Sequence, residues 1–133
     1  MASILLVDDD EILVEIMADH LQAEGHMVSV VYDGTDVLRA VHDAEPDLLV
    51  LDYNLPGLSG LEILRELRSR PYGKDLPILM LTAKTGRLLS ARALQDGVDD
   101  YLIKPVTPDL LLRRIEALLL SAAFASRSAH AAR

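Results

Sequence analysis

The sequence predicts an α/β fold in which helices cover both faces of a parallel sheet, and three observations carry that reading. Short apolar runs recur at 4–7, 28–31, 48–51, 78–81 and 101–103. Three of them, Ile4-Leu5-Leu6-Val7, Leu48-Leu49-Val50-Leu51 and Ile78-Leu79-Met80-Leu81, contain no polar residue, as expected of strands buried on both faces. The longer stretches between the runs carry apolar residues at helical spacing. With 133 residues, 50% of them hydrophobic, the chain has the size of one ordinary domain with one core.

Taken in order, the first strand leads into a helix in which Leu13, Met17, His20 and Leu21 share a face, and Gly25 is placed to end it. After the second and third strands, Ser59 followed by Glu62 reads as a capping box opening a helix over 61–67. The fourth strand is followed by a stretch that Gly97 is placed to close, and the fifth precedes Thr107-Pro108, an N-cap with proline at the first helical position. Leu111, Ile115, Leu118 and Leu119 continue that last helix. From Ser121 the apolar period is lost, so the expected division is a domain over 1–120 and, over 121–133, a frayed helix end, a C-terminal tail or a linker stub. Strand and helix alternate five times, which requires parallel strands, right-handed crossovers and an open three-layer sandwich.

Composition narrows the function. Thirteen Lys and Arg against 21 Asp and Glu give a formal net charge of −8, and such a surface repels a phosphate backbone, so direct nucleic-acid binding by this domain is not expected. No cysteine is present, which excludes disulfides, a thiolate nucleophile and thiolate zinc sites. Neither a signal-like start nor an apolar run long enough to cross a membrane stands in the sequence, and a cytoplasmic location is the expectation.

In an open parallel sheet ligands bind beyond the carboxyl ends of the strands. Those ends carry Asp8, Asp9 and Asp10 after the first strand, Asp52 after the third, Thr82 after the fourth, and Lys104-Pro105 after the fifth. Crowded carboxylates repel one another unless a cation or a proton intervenes, and an all-oxygen set without His or Cys suits Mg2+. A carboxylate can also attack phosphorus and become an aspartyl phosphate, with the metal, a hydroxyl and an ammonium each serving a phosphoryl oxygen. Each residue also has a plain structural reading: Asp10 can simply cap the first helix, and a single Asp, Thr or Lys at a strand end is usually a turn or solvated residue.

The motifs resemble the receiver domain of bacterial two-component response regulators from Ile4 to about Leu120. Ile4-Leu5-Leu6-Val7-Asp8-Asp9-Asp10 is similar to that family's acidic opening, and Asp52-Tyr53-Asn54-Leu55-Pro56-Gly57 to its phosphoacceptor loop; Thr82-Ala83 and Tyr101-Leu102-Ile103-Lys104-Pro105 match its other two motifs. The resemblance implies a flavodoxin-like (βα)5 sandwich with a five-stranded sheet in the order 2-1-3-4-5. It makes Asp52 the phosphoacceptor and Asp9 a direct Mg2+ ligand, with Asp8 helping through water and the Asn54 backbone carbonyl completing the protein's share. Thr82 and Lys104 would bind phosphoryl oxygens, Tyr101 would turn inward with Thr82, and the Lys104-Pro105 bond would be cis. Asn54, Ala83 and Lys84 occupy positions that tune phosphoryl lifetime. Val106 departs from the aromatic that many relatives carry there. The implied partners are a sensor histidine kinase or phosphotransfer protein and a downstream effector that the sequence does not identify.

Two rival readings start from the same residues. Asp8-x-Asp10 after four apolar residues also resembles the opening of a haloacid-dehalogenase-type phosphatase with Asp8 as nucleophile, although no acidic cluster follows the lysine. The other is a receiver-like interaction module that does not use phosphorylation. Leu88, Leu89 and Leu94, with Ile103 and Arg113, could build a phosphorylation-dependent dimer face on the last helices and fifth strand, or the leucines could equally be core and solvent positions of one helix. His20, His26, His42 and His130 are scattered and read as solvated or interfacial, and Arg65, Arg68 and Arg70 as a solvated helix face.

Overall fold

The computed structural model describes residues 1–83 and 97–131, with side chains described to residue 125. Along the chain come β1 (Ser3–Val7), α1 (Glu11–Ala23), β2 (Met27–Val31), a 3-10 turn (Gly34–Asp36), α2 (Val37–Ala44), β3 (Leu48–Asp52), α3 (Gly60–Arg68), β4 (Ile78–Thr82), β5 (Asp100–Ile103) and α4 (Pro108–Ala131). Residues 84–96, where the sequence predicts a further helix, lie outside the described residues, and Lys84, Leu88, Leu89 and Leu94 with them.

Five parallel strands form one sheet in the order β2-β1-β3-β4-β5. The unbroken apolar runs are the three central strands, and their alternate side chains feed two cores. Ile4, Leu6, Leu48, Val50, Leu79 and Leu81 pack with α1 and α4, through Val14, Met17, Leu21, Leu111 and Ile115. Leu5, Val7, Leu49, Leu51, Ile78 and Met80 face the other way, onto Val37 and Val41 of α2 and Ile63, Leu64 and Leu67 of α3. Because the pleat sends neighbours to opposite faces, only an apolar residue at every position fills both layers.

Local chemistry sets where helices begin and end. The Asp10 carboxylate accepts from the Leu13 amide at 3.1 Å to cap α1, Ser59 Oγ accepts from Glu62 at 3.3 Å for α3, and Thr107 Oγ1 accepts from Leu110 at 3.2 Å for α4. At the end of α1, Gly25 lies at φ +94°. There the His26 and Gly25 amides donate back to Leu21 and Gln22 carbonyls at 3.1 and 3.0 Å, the paired bonds of a Schellman motif.

Arg68 departs from the solvated face that the sequence suggests. Its side chain is 18% exposed and donates to the carbonyls of Gly73 at 2.8 Å, Leu76 at 2.6 Å and Gly97 at 2.7 Å, and to Asp99 Oδ2 at 2.9 Å. The end of α3, the following loop and the amino ends of β4 and β5 are tied together there, at the sheet edge opposite Asp52. Arg70 behaves as expected, pairing with Glu66 on the exposed helix surface at 3.1 Å.

Candidate functional site

Among the described residues the buried polar or charged side chains are Asp8, Asp52 and Thr82, at 4%, 3% and 3% exposure. They stand at the carboxyl ends of β1, β3 and β4, where parallel strands in register bring separate chain segments to one edge. Burying a carboxylate is costly unless it is paired, so this placement marks the edge as built for something other than packing.

One oxygen each from Asp8, Asp9 and Asp52 lies within 4.8 Å of the others, with Asp9 exposed and the other two buried. Lys104, at the end of β5, reaches in from the side, with Nζ 2.8 Å from Asp8 Oδ2 and 3.4 Å from Asp52 Oδ2. Backbone amides hold the carboxylates in place: Asp10 donates to Asp8 Oδ1 at 3.0 Å, and Asn54 to Asp52 Oδ1 at 3.3 Å. The Lys104 amide donates to the Thr82 carbonyl at 2.7 Å, which locks the last residues of β4 and β5 together, and the Lys104-Pro105 peptide is cis.

A single ammonium faces three carboxylates, and the titration behaviour follows. Burial, reinforced by the charge of Asp8 and only partly offset by Lys104 and the Asn54 amide, pushes the Asp52 carboxyl up to about 6. Burial works against the Lys104 charge, but its hydrogen bond to Asp8 and the attraction of Asp52 and Asp8 outweigh it and hold the ammonium above the usual lysine value. The uncompensated negative charge, the all-oxygen donors and their spacing suit a hard divalent cation with part of its water shell retained.

The other residues singled out in the sequence are spread over the fold, His26 as far as the amino-end edge of the sheet beside Ala2. Asn54 and Ala83 are exposed on the loops that follow β3 and β4, and Tyr101 is half-buried against the α2/α3 side of the core. Asp10 spends its carboxylate on the cap of α1. Val106 is buried in the core on the α1/α4 side. Ile103 is 41% exposed and Arg113 is exposed, while the neighbouring Arg114 pairs with Asp100 at 2.7 Å. His20 and His26 face α4, with Nε2 atoms 3.1 Å from Asp109 and 3.9 Å from Glu116, and His42 is exposed; the side chain of His130 lies outside the described residues.

A doubly covered parallel sheet with carboxylates and a lysine clustered beyond the carboxyl ends of its strands defines a class of open α/β domains with their site at that edge. Residues 4–116 match the family model described as response regulator receiver domain, and the chain belongs to that family. It is 43% identical over 116 residues to the DNA-binding response regulator MtrA of Mycolicibacterium paratuberculosis, covering 87% of this chain and 50% of that protein. Over 119 residues it is 40% identical to the phosphate regulon transcriptional regulatory protein PhoB of Rhizobium meliloti, covering 90% and 52%. The chain thus spans about half the length of these relatives. Among solved structures, a putative response regulator from Chloroflexus aurantiacus superposes with a TM-score of 0.84 at 34% identity, covering 90% of this chain and 98% of that one. Among the described residues no helix is long and apolar enough to cross a membrane.

Proposed function

We propose that this receiver domain is a phosphorylation switch in which Asp52 accepts a phosphoryl group from the phosphohistidine of a sensor kinase or phosphotransfer protein in the cytoplasm. The observation that carries this reading is the buried Asp52 carboxylate, clustered with Asp8 and Asp9 and flanked by Lys104. In the transfer an Asp52 oxygen forms the new bond to phosphorus as the bond to the histidine nitrogen breaks. Asp9, Asp8, Asp52 and the Asn54 carbonyl would hold Mg2+, which when bound neutralises charge on the carboxylates and the phosphoryl oxygens. Lys104 and Thr82 hold the remaining phosphoryl oxygens, and Lys104 is already poised between the two buried aspartates. Transfer leaves about −2 of charge on the acyl phosphate oxygens. Thr82 then moves toward them, Tyr101 follows, and the surface on β5 and the helices beside it changes its affinity for an effector or for a second copy.

The cap made by Asp10 weighs against the phosphatase alternative, because that reading needs the second aspartate of Asp8-x-Asp10 as a free acid or base. Acetyl phosphate with Mg2+, followed by intact mass, tests the assignment. Wild type gains one phosphoryl adduct, chelator abolishes it, and Asp52→Asn lacks it. An adduct that persists in Asp52→Asn and depends on Asp8 would overturn the assignment, and no adduct at all would favour a module that works without phosphorylation.

A further inference from the structure

The loop between β3 and α3 is held at two places, and only one of them belongs to the site. Its neck closes on itself: the Gly60 amide donates to the Tyr53 carbonyl at 2.8 Å, and a Cβ on Gly60 would stand 2.9 Å from the Asp52 carbonyl oxygen. Its tip rests on the turn that follows β2. There the Gly34 amide donates to the Pro56 carbonyl at 3.3 Å. A Cβ on Gly34 would lie 3.1 Å from the Leu58 oxygen and 3.1 Å from Ile63 Cδ1. From the other side Gly57, at φ +90°, packs so closely that its own Cβ would meet Thr35 Cγ2 at 3.0 Å and Asp33 Oδ1 at 3.2 Å. The turn is itself stiff, because Asp33 Oδ1 accepts from the Thr35 amide at 2.9 Å and the Thr35 hydroxyl at 3.0 Å.

We propose that the Asp33-Gly34-Thr35 turn is a positioning element of the acidic site, setting through Pro56, Gly57 and Leu58 where the loop presents Asn54. The inference rests on the reading of Asp8, Asp9, Asp52 and Asn54 as the Mg2+ set. With Gly34 of the turn packed against Leu58 of the loop, and Gly57 of the loop packed against Asp33 and Thr35 of the turn, the loop has little freedom, and a backbone carbonyl can serve a metal only where the backbone is fixed. Groups that orient ligands without touching the metal typically carry about ten- to a hundredfold of its affinity.

The test is thermal unfolding of the whole chain in chelator and in rising MgCl2, which yields a dissociation constant from the shift of the midpoint. Gly34 does not use the left-handed region, so Gly34→Ala adds bulk against Leu58 without backbone strain. It is expected to weaken Mg2+ about tenfold, whereas Val41→Ala, in the core beneath α2, lowers the midpoint in chelator and keeps the wild-type dissociation constant. Equal Mg2+ affinity in Gly34→Ala and wild type would overturn the proposal and leave the turn a packing feature. If Gly34→Ala does not fold, Thr35→Ser carries the same test by removing the Cγ2 contact with Gly57 while keeping the hydroxyl; it too should bind Mg2+ more weakly, and an unchanged constant overturns the proposal. A wild-type protein without any Mg2+-dependent stabilisation would remove the site assignment itself, and the positioning role with it.

Discussion

Asp52 is 3% exposed and shares a pocket with two other carboxylates, so in the metal-free protein its charge works against the fold. Its folded value of about 6 stands above the ordinary 3.8. For a carboxyl raised in this way the stability contribution is fully present below the unfolded value and is lost as pH rises from about 4 through about 6. Above that range the ionised group costs on the order of 3 kcal/mol. Asp52→Asn should therefore stabilise the protein in chelator at pH 7.5 by about that amount, with the advantage vanishing below about pH 4. Urea unfolding at the two pH values checks this, and an equal advantage at both would show that packing rather than charge is responsible. The residue order announces the crowding of carboxylates but not the larger cause, which is how deeply the fold buries Asp52, with the charge of Asp8 second.

At the scale of elements, legibility follows burial. The central strands could be read because both faces are covered and every position is apolar. β2 and β5 lie at the sheet edges, where exposed Met27 and Ile103 blur the pattern; every strand, central or edge, runs one residue past its apolar run at one end, as β3 does to Asp52 and β4 to Thr82. Caps were visible as residue types, but Asp10 carried two readings that only the 3.1 Å bond to Leu13 separates. Arg68 was not visible at all, since most of its partners are backbone carbonyls, and a carbonyl carries no residue identity. Arg68→Ala would strand the carbonyls of Gly73, Leu76 and Gly97, and each buried unpaired acceptor costs about 1–3 kcal/mol. A loss of about 3 kcal/mol in urea unfolding is expected, with little recovery in Arg68→Lys, whose single ammonium cannot span the same fork. A loss within about 0.5 kcal/mol would return Arg68 to the ordinary surface class.

Across the whole molecule, the site was legible because parallel topology sends every strand's carboxyl end to one edge, so a few chemically unusual residues after apolar runs had to meet. The far end of the chain was less so. α4 runs to Ala131, beyond Ser121, where the apolar period ends. Its hold on the core comes from Leu111, Leu112 and Ile115, with Leu118 and Leu119 half-buried against them, whereas Leu120 and Phe124 are 73% and 72% exposed. Past that point the helix lines an open cavity of about 600 Å³, with Ser121, Ala122 and Ala125 opposite Asp75, Pro77 and Asp99. Helices in proteins are held chiefly by packing of an apolar face, and this stretch has little to pack. Deleting 121–133 should cost no more than about 1 kcal/mol in urea unfolding and leave the Mg2+ dissociation constant unchanged, because the site lies at the opposite edge of the sheet. A loss beyond about 3 kcal/mol would mean that the walls of the cavity close on one another in solution and that the domain extends past residue 120.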